Sequence, residues 1–181
     1  MYIFSIIVFF LINFMLGLIT SFFAKESENF LERNLMRIGI GLSFFIVIGL
    51  LLNLLHIPLD WRVFILIGII VCSIYILKNK ESLKIWVKKP SLKITRTNLI
   101  IFGVLIIFFL TSFMYIKGAF VYPYLEDDDS WSHAMGVKYV SIEKKVYAPK
   151  GYFHYIDPYP PSYDMILGIM HQTNDSVYWT L

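Results

Sequence analysis

Residues 125–132 read LEDDDSWS, so Glu126, Asp127, Asp128 and Asp129 stand in a row. Carboxylates this close repel: a pair at about 4 Å costs about 1 kcal/mol in water and about 4 kcal/mol at an effective dielectric of 20. Such a block is tolerable when solvated and costly when partly buried. If a helix begins by Asp129, then Asp129 and His133 fall at i and i+4 on one face. A carboxylate and an imidazole so placed could act as general base and phosphate partner, or could share a divalent cation. The plainer reading is a solvated N-terminal helix cap for the acids and a polar surface residue for His133, and it stays open on these residues alone. Cys72, the single cysteine, lies in an apolar run, which removes intramolecular disulfides and Cys-based metal sites from consideration.

The elements that position these residues are set by composition. The chain has 181 residues, 57% hydrophobic, 18% aromatic and only 16% charged, with a mean hydropathy of +0.66. No ordinary soluble domain has this balance, so the expected class is an all-α integral membrane protein. Four apolar runs are expected to cross the bilayer, at about 2–24, 38–57, 59–77 and 99–117, since a span needs roughly 20 residues. The third run reaches that length only by borrowing Leu59 and Trp61, and the short connection PLDWR then makes runs two and three a helical hairpin. The first run lacks a basic leader and a small-x-small cleavage site, so it reads as a retained helix rather than a signal peptide. Asn53 and His56, near the end of the second run, are expected to hydrogen-bond between helices.

Charge sets the expected orientation. Lys78, Lys80, Lys84, Lys88, Lys89, Lys93 and Arg96 face a single acid, Glu81, between runs three and four. Positive-inside bias and anionic lipid hold such a stretch in the cytoplasm, in preference to any role with nucleic acid. The segment with Lys25, Arg33 and Arg37 then also falls inside. The N-terminus, the PLDWR turn and everything beyond about Lys117 fall outside, with the acidic block just past the membrane surface.

Residues 118–181 differ in kind: eight acids against four lysines, many tyrosines, and prolines at 158, 160 and 161. Residues 118–176 are expected to form an extracytoplasmic acidic loop with short helices. In that loop WSHAMGVKYVSIEKKV is a helix capped by Asp128, Asp129 or Ser130, with Lys144 and Lys145 at its C-terminal end. DPYPPSYDMILGIM is an extended stretch followed by a short apolar helix that Ser162 could cap, too short to span and so packed on neighbours or lying at the interface. Residues 177–181 are expected to start a further helix, as in the N-terminal part of a longer protein.

The string E-D-D-D-S-W-S-H-A-x-x-x-K-Y-V directly after an outgoing helix, followed by Y-P-P before an apolar helix, resembles the first outer loop of the GT-C class of membrane glycosyltransferases. That class includes the dolichyl-phosphate-mannose-dependent protein mannosyltransferases and the catalytic subunit of oligosaccharyltransferase. The resemblance spans about residues 118–171. It implies the start of a GT-C-like fold in the cell membrane, a polyprenyl-phosphate sugar donor, and inverting transfer to an acceptor outside. Asp129 or Asp128 would be the catalytic base. Glu126, His133, Lys138 and Tyr159 would bind substrate, and the departing phosphate would meet His133, Lys138 or a bound Mg²⁺ or Mn²⁺, a choice the resemblance leaves unmade. Three apolar helices precede the one leading into the acidic loop, where the class usually has one. The class also completes its cavity with further helices and a second loop, so these 181 residues alone are expected not to catalyse. The competing readings are a non-catalytic multi-pass protein whose acidic outer loop binds cations or a partner, and a truncated inactive remnant.

Overall fold

The computed structural model describes residues 2–78, 95–119, 121, 128–147, 161–174 and 176. Their regular structure is all helical, with no strand among them. Helix α1 (Tyr2–Gly17) runs on into a 3₁₀ turn (Leu18–Phe22), and is followed by α2 (Phe30–Leu54), α3 (Trp61–Lys78), α4 (Arg96–Ala119), α5 (Asp128–Glu143) and α6 (Ser162–His171). Four stretches, Ile3–Phe22, Phe30–Leu54, Trp61–Lys78 and Arg96–Gly118, are long and apolar enough to cross a membrane, which makes this a multi-pass membrane protein.

Local chemistry sets the ends. The carboxamide oxygen of Asn29 accepts from the backbone N–H groups of Leu31 (2.9 Å) and Glu32 (3.2 Å), so α2 begins at Phe30, well before its apolar run. It stops at Leu54, and His56 just beyond has φ of 58°, a left-handed conformation that ends helices. At the start of α3 the Asp60 carboxylate accepts from the Arg62 N–H at 2.9 Å. Lys144, with φ of 53°, lies just past the end of α5.

Helices α1 and α2 pack backbone to backbone. A Cβ placed on Gly41 would lie 1.7 Å from the Asn13 carbonyl oxygen, and one on Gly17 would lie 1.9 Å from that of Arg37. In lipid, where apolar side chains gain little by pairing with each other, such close approach is what drives helices together. The core that follows includes Ile12, Leu16, Phe45 and Phe64, the last two with ring centroids 4.6 Å apart. Met165 and Ile169 of α6 belong to the same core. The short apolar helix therefore packs on its neighbours and plugs one end of the bundle. Helix α4 stands nearly apart, touching α2 lightly, with its apolar side chains exposed and a 2.7 Å hydrogen bond from Asn29 to Asn98 at one end.

The two ends of the bundle differ. At one, the buried Arg37 guanidinium grips both carboxylate oxygens of Glu26 and reaches the Tyr75 hydroxyl at 3.1 Å. At the other, Ser5 near the start of α1, the 55–60 turn and the segments around α5 and α6 meet: Thr173 donates to the Ser5 hydroxyl at 2.7 Å, the Leu59 N–H to the Lys144 carbonyl at 2.8 Å, and the Val146 N–H to the Asn53 carboxamide at 2.9 Å. Asn53 thus holds a loop rather than another membrane helix, and His56 is exposed at the turn, because α2 has already ended.

Candidate functional site

Helices α5 and α6 pair across two glycines. A Cβ on Gly136 would stand 2.5 Å from the Asp164 carboxylate, and one on Gly168 would stand 2.5 Å from Val140. This contact brings Asp164, in the first turn of α6, against His133 of α5: His133 Nδ1 and Asp164 Oδ1 are 2.8 Å apart. The His133 ring meets Tyr163 edge-on, with centroids 5.0 Å apart. Asp164 is only 6% exposed, and burial pushes its carboxyl above the usual carboxylate value although the hydrogen bond and charge of His133 pull the other way. Burial likewise raises the Tyr163 phenol, with Asp164 and Tyr115 adding to the effect.

Asp128 and Asp129 occupy the first turn of α5, inside the helix rather than at its cap, and both are exposed. The Asp128 carbonyl accepts from the Ser132 hydroxyl at 2.9 Å. At about 100° per residue, Asp129 projects from the same side of α5 as His133, Gly136, Val137 and Val140, while Asp128 is turned well away. Glu126 and Tyr159, with Asp127, lie outside the described residues. Among the described residues no three His, Cys, Asp or Glu side chains converge as a metal site.

Lys138 is separated from His133 by five residues, which puts the two about 140° apart around α5. It lines a different feature, an open polar cleft of about 410 Å³ between the α2–α3 turn and the α5–α6 pair, together with Asp60, Arg62, Ser141, Lys144 and Gln172. Lys144 forms an ion pair with Asp60. Burial acts to raise the Asp60 pKa, but the Lys144 hydrogen bond and charge and the Arg62 N–H and charge outweigh it, so this carboxyl stays below its ordinary range. Gln172 ties the cleft together, donating to the Leu59 carbonyl at 2.7 Å and accepting from the Trp61 N–H at 3.2 Å.

Helix α6 begins at Ser162 with Pro161 before it, and no side-chain cap is formed there. The structure thus gathers Asp129 and His133 on one side of α5, directs Lys138 elsewhere, and adds Asp164, which sequence reading passed over. Its one signal was a lone acid in an otherwise apolar helix. Arg62 was equally inconspicuous, since a cation beside a Trp at the end of a span is ordinarily just an interfacial anchor. No protein-family model matches the chain, and no similar curated protein or solved structure is found.

Proposed function

We propose that the chain is the N-terminal part of a membrane glycosyltransferase that takes sugar from a polyprenyl-phosphate donor and transfers it, with inversion, to an acceptor on the extracytoplasmic side. The observation that carries the reading is the His133–Asp164 pair on the Asp129 side of α5, packed over one end of the membrane bundle. The opposite end carries Lys25, Arg33, Arg37, Lys78 and Arg96, which favours the cytoplasm for that end and the outside for α5.

The donor's tail stays in the bilayer and its head group reaches the α5–α6 end. An acceptor hydroxyl or amide is a weak nucleophile, so the Asp129 carboxylate takes its proton as the new bond to the anomeric carbon forms and the bond from that carbon to the phosphate oxygen breaks. The phosphate departs as an anion beside other carboxylates and needs a positive partner. His133, held in one orientation by Asp164, supplies it. The resemblance to the GT-C loop supports the same assignment.

Asp129→Asn in the full-length protein should abolish sugar transfer while leaving membrane insertion unchanged, with Asp128→Asn the milder change. Near-normal turnover in Asp129→Asn refutes the base assignment. Cation binding to a stable, inactive protein, lost when the acids are neutralised, would establish the non-catalytic alternative instead.

A further inference from the structure

The cleft between the α2–α3 turn and the α5–α6 pair has an unbalanced charge. It is lined by Arg62, Lys138 and Lys144 against the single carboxylate of Asp60. Lys144 pairs with Asp60, and the Arg62 charge also acts on that carboxylate, so one acid faces three cations and the cleft keeps an excess of positive charge, with Arg62 and Lys138 both exposed to it. They come from segments far apart in the chain that the Leu59, Lys144 and Gln172 hydrogen bonds lock together. Two cations held on one polar concavity repel each other, and that repulsion is relieved by an anion bound between them.

We propose that this cleft binds a phosphate-bearing anion, with Arg62 and Lys138 as its charged contacts. The cleft is distinct from the Asp129–His133 side of α5, since Lys138 projects about 140° away, and Arg62 lies outside the stretch that resembles the GT-C loop. The site's depth indicates how such a ligand arrives. Trp61, which lines the cleft, begins a membrane span and packs edge-on against Phe4 with centroids 6.0 Å apart. Aromatic rings at span ends mark the head-group level of a bilayer, so a phosphate carried on a lipid reaches the cleft without leaving the membrane. A soluble phosphate or pyrophosphate shares the same chemistry. As the donor's docking point, the site rests on the transferase reading; as an anion site, it does not.

The test uses the full chain in phosphatidylcholine nanodiscs, measuring binding of a fluorescent polyprenyl phosphate in the bilayer and of inorganic pyrophosphate in solution. Arg62→Gln and Lys138→Gln should each weaken binding about tenfold, as loss of one charge-assisted contact implies, and the double variant should weaken it further. Lys145→Gln, which removes an exposed lysine paired with Glu143 outside the cleft, should leave it unchanged. Loss confined to the polyprenyl phosphate supports a lipid-borne ligand, and loss of pyrophosphate binding supports a soluble one. Binding unchanged in a folded double variant, or no binding of either probe to the wild type, overturns the proposal. Sugar transfer by the same variants separates the two ideas, because Asp129 can remain essential when the cleft binds nothing.

Discussion

His133 Nδ1 lies 2.8 Å from Asp164 Oδ1, across 31 residues of chain and two packed helices. The bond fixes the imidazole on α5, and Gly136 makes room for the carboxylate that holds it. An acid that reads in sequence as one polar interruption of an apolar helix is thereby the residue that orients the histidine.

The protonation of Asp164 should be visible in stability. Its folded pKa lies above the ordinary 3.8 because burial penalises the anion. The folded state therefore holds this proton more tightly than the unfolded chain does. Its contribution is complete below the unfolded value and is lost as pH rises through the elevated folded value. Thermal unfolding of the detergent-solubilised protein should show this decline from about pH 4 upward. Asp164→Asn, which stays neutral, should flatten it.

Asp60 should show the opposite sign. Its folded pKa is lowered, so its contribution is present above the unfolded value and is lost as pH falls through the folded one. Asp60→Asn should cost about 1 kcal/mol at neutral pH, the usual worth of a partly exposed charged hydrogen bond. Melting curves at neutral and acidic pH would measure it, with the two proteins converging in acid.

Gly136→Ala should uncouple His133 from Asp164. The new methyl would stand 2.5 Å from a carboxylate that is short and buried, so Asp164 must move. A loss of about 1–3 kcal/mol is expected from overpacking, together with a fall in sugar transfer if His133 serves the departing phosphate. Unfolding midpoint and transfer rate read the two effects separately.

Glycines in the membrane helices should divide sharply. Gly41→Ala would drive a methyl to 1.7 Å from the Asn13 carbonyl, where only backbone can yield, and should cost about 3 kcal/mol or more. Gly103 of α4 has nothing within 4 Å, so Gly103→Ala should be neutral or stabilising by up to about 1 kcal/mol. Comparing the two melting temperatures in one detergent checks both.

The four apolar spans were legible in the sequence because hydropathy and length are local properties, and a bilayer demands little else. The placement of Asp129 and His133 on one side of α5 was legible for the same reason: a four-residue spacing acquires its geometry from the helix alone. Helix ends were less so. The Asn29 cap extends α2 to Phe30, ahead of the apolar run, and the left-handed turn at His56 cuts it short, so polar chemistry rather than hydropathy sets both limits.

By itself, then, the sequence determined a multi-pass helical membrane chain, an acidic helix start and an i, i+4 carboxylate–imidazole spacing. Only the tertiary structure decided that Asp164 holds His133, that Asn53 and Gln172 tie loops to the bundle, and that Lys138 faces Arg62 and Asp60 instead of His133. These partners are 31 to 113 residues apart where hydrogen bonds join them. No periodicity encodes such separations; they follow from the glycine-lined contacts that let α1 meet α2 and α5 meet α6.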